Sequence, residues 1–418
     1  MRSKSGKRKP WAVLAYTVAD DRADSNALDA SVRRELKSVC SGADFSEVSL
    51  AAQVDFKAST GVFRSVVAEA APKKPSAGGF EDIRIGSDPL WRVIRARLEH
   101  SKLHVVRERT DLNAARASVL KDFLHFGQSE CPADRYLVFF YGHGYGPLGL
   151  FFDEDADQTD RGTMPLAGIA ESLRALGGRA AVLVLRACQA GTLEAAYELK
   201  DAGEFMVASQ AIVPIAGVWP WGSLLTSLTP SARSGDVARS IAQQLALFLK
   251  PFANRRPLGD VPCSVIDLGE ANAIVKPLRA LATALNAARS QPARAAACAA
   301  AMDHARVGFP GDSSQPGDPA LLDVATMCDH LQKLEGDAVT GPARALGKVV
   351  TDRLVTWQHS HHGLHCGVAL YCKPVRPEHI RRSHIYDQDF EASDDRRYRK
   401  LALSKATGWD LLALNPLK

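Results

Sequence analysis

The chain has 418 residues, 46% hydrophobic and 24% charged, which suits a globular protein with one large core or two smaller ones and excludes a disordered chain. Its 52 Lys and Arg against 47 Asp and Glu leave a net charge of +5, too dilute to mark a nucleic-acid binder. The cysteines at 40, 131, 188, 263, 298, 328, 366 and 372 share no framework spacing, and a chain of this length needs no disulfide staples, so reduced thiols are expected.

Residues 1–10 gather Arg2, Lys4, Lys7, Arg8 and Lys9 and read as a solvated basic tail. WAVLAYTVA at 11–19 is too short for a membrane span and has no small-residue cleavage site after it, so it reads as a first strand in a protein expected to stay in the cytoplasm. Further apolar strands are predicted at 46–54, 136–142, 181–187 and 204–208, with helix-compatible stretches at 26–39, 112–125 and 166–176 between them. Buried strands alternating with amphipathic helices predict an α/β domain over 11–235, built on a central, mainly parallel sheet flanked by helices. Residues 236–418 read as a helical and mixed region packed on that domain. It carries Ala-rich helical segments at 236–250 and 272–305, a Gly/Pro/Ser/Asp linker at 308–319, a helix at 320–335 and a strand at 366–372.

Two segments carry most of the chemistry. YLVFFYGHGYG at 136–146 and AVLVLRACQAG at 181–191 are apolar runs that end in small-residue turns, one presenting His143 and the other Cys188. Parallel strands would bring an imidazole and a thiol to one sheet edge in this way. Cysteine-based hydrolysis needs such a pair, because the thiolate attacks while a nearby His holds its proton and later protonates the leaving group. TLEAAYELK after the cysteine turn predicts a helix whose N-terminus favours thiolate, and Gly142 and Gly144 let the backbone turn sharply around His143. The N–H groups of Gly144 and Cys188 together suit an oxyanion hole. The competing reading is a pair of inert buried residues, the usual fate of a cysteine in an apolar run.

These segments resemble the clostripain family of cysteine peptidases, which share the caspase-like fold with caspases, legumains and gingipains. WAVLAYTVADD is similar to that family's first strand and acidic turn, YLVFFYGHGYG to its His motif, and GLFFDEDADQTDRGTMPLAGIAESLRAL to the acidic turn and helix after it. LRACQAGTLEAAYELKDAGEFMVASQAIVPIAGVWPW resembles the Cys motif and the Ser-Gln and Gly-Trp-Pro signature, here Ser209, Gln210, Gly217, Trp219 and Pro220 with Val218 inserted. YRKLALSKATGWDLLAL at 398–414 resembles the closing segment. The resemblance implies a caspase-like fold and a cysteine endopeptidase with a His143/Cys188 dyad, acting without an organic cofactor on a protein or peptide substrate. It also implies that Ser209, Gln210 and Trp219 help to line the substrate groove, with core filling as the alternative for Trp219.

Relatives usually carry Asp two positions before the cysteine, where it pairs with a substrate Arg or Lys in the S1 pocket; this chain has Arg186. A guanidinium there repels a basic P1 side chain and can hold a carboxylate bidentately, so the P1 preference is expected to shift away from Arg and Lys. The alternative is that Arg186 points away and pairs with Asp20, Asp21 or Asp153. Internal maturation, common among relatives, has one candidate site at Arg233–Ser234. By analogy, a regulated cytoplasmic cut extends to bacterial defence, where caspase-like proteases release gasdermin pore-forming proteins. A catalytically inactive interaction module of the same fold is the rival expectation.

Weaker signals complete the reading. DEDADQTD at 153–160 offers Asp153, Glu154, Asp155 and Asp157 as calcium ligands, but it lacks the EF-hand spacing and suits a solvated acidic loop better. His359, His361, His362, His365 and Cys366 cluster without a closed zinc spacing and read as a polar loop before a strand. GHGYG is followed by no dinucleotide or Walker pattern, which argues against nucleotide binding.

Overall fold

Nine strands form the main sheet of the computed structural model: β1 (Lys9–Val18), β2 (Val48–Phe56), β3 (Arg92–Glu99), β4 (Lys102–Arg109), β5 (Ala133–Tyr141), β6 (Ala180–Arg186), β7 (Gly203–Ala208), β8 (Cys263–Asp267) and β9 (Val355–His359). The spatial order is β9-β8-β7-β6-β5-β1-β2-β3-β4. Pairings from β2 through β1, β5 and β6 to β7 are parallel, and antiparallel strands extend the sheet at both edges. The structure describes residues 8–18, 47–56, 63–66, 80–83, 92–99, 102–109, 113–152, 162–213, 219, 221–252, 262–307, 319–334, 338–361, 367–376, 383, 385 and 391–417.

The central strands are apolar on both sides because both faces are covered; every residue of β6 is buried. Leu14, Tyr16, Val138, Phe140, Leu183 and Leu185 face a core shared with α1 (Ala117–Glu130), α2 (Leu166–Leu173) and α3 (Leu193–Leu199). Val13, Leu137, Phe139, Val182 and Val184 face the opposite core, closed by α4 (Ser234–Leu249). Each large apolar side chain sealed in these layers stabilises the fold by roughly 1.5–3 kcal/mol.

The expected strands of the parallel core appear within a few residues of their predicted positions. The sheet also crosses position 235, since β8 and β9 come from the C-terminal region, and the first core runs from Ala12 to Leu417. The single long helix expected at 272–305 is two, α5 (Val275–Ala288) and α6 (Pro292–Asp303), because Pro292 lacks an N–H and starts a new helix instead of continuing the old one. The strand expected at 366–372 is a short one, Ala369–Tyr371, paired antiparallel with Leu321–Asp323 and separate from the main sheet. Asp323 accordingly ends a strand and caps α7 (Val324–Gln332), its side chain accepting the Thr326 N–H at 2.9 Å. After these come α8 (Thr340–Val349), α9 (Glu391–Lys400) and α10 (Ala402–Thr407). The helix expected at 26–39 lies outside the described residues. Among those described, no helix is long and apolar enough to cross a membrane.

Candidate active site

The ladder between β5 and β6 ends at the pair Tyr141 and Arg186, and each chain then runs two residues further to His143 and Cys188. Both therefore leave the carboxyl edge of neighbouring parallel strands at the same level, the edge at which open α/β sheets place their ligands. The Gly142 N–H donates to the Arg186 carbonyl at 3.4 Å, carrying the contact between the chains past the last ladder pair. A Cβ on Gly144 would lie 2.0 Å from the Cys188 carbonyl oxygen and 2.9 Å from its nitrogen, so only glycine lets the two turns approach this closely. The His143 and Cys188 side chains are both half-buried.

The sulfur has a specific electrostatic setting. Both backbone groups of Val213 meet it: the Val213 N–H donates to Cys188 Sγ at 3.4 Å, and the Val213 carbonyl lies 3.7 Å from Sγ as an acceptor for the thiol proton. Among the described residues, Cys188 is the one cysteine that is not buried; burial pushes the Cys263 thiol upward and the Cys328 thiol up to about 12. The turn after the sulfur is tight: Gln189 is left-handed at φ 57, its N–H donates to the Ala211 carbonyl at 2.9 Å, and the Gly191 N–H donates to the Ser209 carbonyl at 2.8 Å. A non-glycine residue in this region costs on the order of 1 kcal/mol and persists only where its surroundings enforce it. The histidine turn has a counterpart in Phe151, left-handed at φ 61, whose N–H donates to the His143 carbonyl at 2.9 Å.

Arg186, the last residue of β6, is 2% exposed. Its guanidinium carbon lies 4.1 Å from the Tyr141 ring centroid, 5.5 Å from that of Phe248 and 5.6 Å from that of Trp219, a cation within an aromatic enclosure. Its alternative partners Asp20, Asp21 and Asp153 lie outside the described residues. Ser209 and Gln210 are buried and hold the loop behind the cysteine turn: Ser209 Oγ accepts the Ala211 N–H at 3.1 Å, and the Gln210 amide donates to the Asp323 carboxylate at 2.8 Å. Trp219 is fully buried, edge-on to Phe139 with ring centroids 5.3 Å apart, as a core-filling residue would be.

The proposed calcium ligands Asp153, Glu154, Asp155 and Asp157 lie outside the described residues, as do Gly217, Val218, Pro220, His362, His365 and Cys366. His359 closes β9 with its ring stacked on Trp357, and its Nε2 lies 3.2 Å from Nδ1 of His361, whose Nε2 faces the Ala246 carbonyl at 3.2 Å. Among the described residues, no group of three or more His, Cys, Asp or Glu is placed to hold a metal. Arg233 precedes α4 and forms an exposed ion pair with Asp236 at 2.7 Å.

Several supporting residues escaped the sequence reading. Val213 acts through its backbone, which no side-chain pattern reveals, and Asp323 fell inside a predicted helix. Glu194, on α3 behind the cysteine turn, carries a carboxyl that burial raises from 4.5 to about 7. A charged residue in LEAAYEL reads as a solvated helix face, and the one available signal was its place in the first turn of the helix that follows the nucleophile candidate.

The clostripain family model, Peptidase_C11, matches residues 81–310. Among solved structures, a secreted C11 cysteine protease from Bacteroides thetaiotaomicron, in complex with an irreversible peptide inhibitor, is similar with a TM-score of 0.62 and 16% identity, over 96% of this chain and 99% of its own. An inactive zymogen C11 protease from Parabacteroides distasonis is similar at a TM-score of 0.61 and 14% identity, with the same two coverages. At these identities the likeness is one of fold. No curated protein matches the chain.

Proposed function

The chain belongs to the clostripain family of cysteine peptidases, and from that premise we propose that Cys188 is the nucleophile of its endopeptidase activity and His143 the residue that exchanges protons with it. One observation carries this reading: the register that releases both residues at the same level from adjacent parallel strands, with the Gly144 and Cys188 backbones in close approach. In the proposed reaction the Cys188 thiolate attacks the scissile carbonyl. His143 protonates the departing amine, and water activated by His143 then hydrolyses the thioester. The developing oxyanion sits between the N–H groups of Cys188 and Gly144. The bridge between Gly144 and Leu150 supports the second donor: its hydrogen bonds come from Tyr145 and Phe151, which directs the Gly144 peptide away from Leu150.

The same reading shifts the P1 preference away from Arg and Lys. Arg186 stands two residues before Cys188 with its charge in a ring-lined, low-dielectric enclosure, where a second cation is unfavourable. In a panel of fluorogenic peptides, acidic and uncharged P1 residues should be cleaved faster than P1-Arg; cleavage of P1-Arg peptides alone rejects this. We further propose a cytoplasmic cut in a specific protein, with a gasdermin-like pore-forming protein as the first candidate. Proteome-wide mapping of cut sites, with Cys188→Ala as control, should give a narrow set of intracellular cuts that vanish in the variant. Enzyme recovered only outside the cell, or the same cuts with Cys188→Ala, contradicts the reading.

A further inference from the structure

Behind the cysteine turn lies a polar cluster with no part in the chemistry just proposed. Glu194 stands in the first turn of α3 with no exposed surface, and its Oε1 accepts two hydrogen bonds from the C-terminal region. One comes from the backbone N–H of Tyr371 at 2.9 Å and the other from the phenol of Tyr398 at 2.7 Å. Tyr371 lies on the strand Ala369–Tyr371 and Tyr398 on α9; their ring centroids are 4.8 Å apart, and the Trp409 indole donates to the Tyr371 carbonyl at 2.8 Å. The same short strand reaches the cysteine turn itself, where the Ala369 N–H donates to the Gly191 carbonyl at 2.9 Å and Ala369 pairs with Thr192. Asp323, its ladder partner, grips Gln210 on the other side. The peptide units that follow Cys188 are thus clasped between 209–213 and a strand more than a hundred and fifty residues later in the chain.

A buried carboxyl is an expensive way to fill such a space, and an apolar side chain of similar size would avoid its desolvation. What the carboxyl adds is an acceptor that two separate elements reach at once. The Thr192 hydroxyl at the helix cap also hydrogen-bonds the carboxyl, and burial beside that carboxyl pushes the Tyr398 phenol well above its ordinary range.

We propose that Glu194 is a positioning residue for Cys188, fastening the turn that carries the sulfur to the C-terminal strand and to α9, so that 369–371 and 391–400 are working parts of the peptidase site. The proposal rests on the reading of Cys188 as the nucleophile. It makes the C-terminal region a component of catalysis and not an appendage to a self-sufficient domain.

The full-length chain tests it through three variants beside a Cys188→Ala control. Tyr398→Phe removes one of the two donors and keeps the ring. Glu194→Leu removes the acceptor at similar size, and Glu194→Gln restores a carbonyl acceptor without the acid. Expected for Tyr398→Phe is a kcat lowered roughly ten-fold with KM within about two-fold, and a matching slowing of Cys188 alkylation. Glu194→Leu should fall at least as far, while Glu194→Gln should keep most of the wild-type kcat at neutral pH. A purely structural role would lower thermal stability in these variants and leave the kcat of the folded enzyme and the alkylation rate unchanged. Folded Tyr398→Phe with wild-type kcat and alkylation therefore overturns the proposal; if Glu194→Leu does not fold, Tyr398→Phe and Glu194→Gln still decide it. An active Cys188→Ala would remove the nucleophile assignment, and this proposal with it. An inactive Cys188→Ala beside fully active Tyr398→Phe removes only the positioning claim.

Discussion

The rim that presents His143 and Cys188 and the wedge that backs it are made of different materials. The rim is shaped by the backbone: Gly144 permits an approach that no Cβ would allow, Gln189 and Phe151 are held left-handed, and the Val213 N–H meets the sulfur. The wedge, built from 321–323, 369–371 and α9, is held by buried polar side chains: Asp323 on Gln210, Glu194 on Tyr371 and Tyr398. Reacting groups are thereby placed by elements with little freedom to adjust, while an acceptor shared by several donors ties distant parts of the chain to them. The two halves should fail differently, the rim chiefly in rate and the wedge in rate and stability together.

The largest effect is expected at the rim. Gly144→Ala puts a methyl 2.0 Å from the Cys188 carbonyl oxygen, and the resulting separation of the two turns should lower kcat/KM by about 10²-fold or more. Kinetics on the folded variant check this, and wild-type activity would show that the turns do not need their close contact. Next is the wedge under pH. Burial raises the Glu194 carboxyl from 4.5 to about 7, so the folded state binds a proton that the unfolded state releases. Stability should be greatest below pH 4.5 as far as this group is concerned and decline as pH rises to about 7, by at most on the order of 3 kcal/mol. Denaturant titrations across that window should show the slope in wild type and a flatter profile in Glu194→Gln; identical profiles would place the carboxyl in a wetter site.

Smaller still, Asp323→Ala removes the α7 cap and the Gln210 contact together and should cost about 2 kcal/mol, read from the same titrations. Arg233→Ala breaks only an exposed ion pair with Asp236 and should leave the melting temperature unchanged; a clear drop would tie that segment to the core more firmly than its exposure implies.

The rim was legible in the sequence because its signals are local. Apolar runs that stop at Gly142 and at the Cys188 turn mark buried parallel strands, and their register follows from the sheet they must share. The wedge was not legible for a physical reason: its strands are three residues each, too short for periodicity to register, and 366–372 looks apolar whichever partner it pairs with. The edge strand β9 alternates half-buried and exposed residues and carries no continuous apolar run. Arg186 was singled out from its place before the cysteine, yet its aromatic surroundings came from Tyr141, Trp219 and Phe248, which sequence separation hides. Gln210 resembled a groove residue by motif, and its buried partner Asp323 lies 113 residues away, beyond any local pattern.

The pairing of Cys188 with His143 is tested most directly by the rate at which each cysteine is alkylated as a function of pH, in wild type and in His143→Ala. Cys188 should react fastest among the cysteines at neutral pH, and loss of the imidazole should slow it and move its reaction toward the ordinary thiol range near pH 8.5. A Cys188 that labels no faster than the buried cysteines, or one indifferent to His143→Ala, would contradict the account.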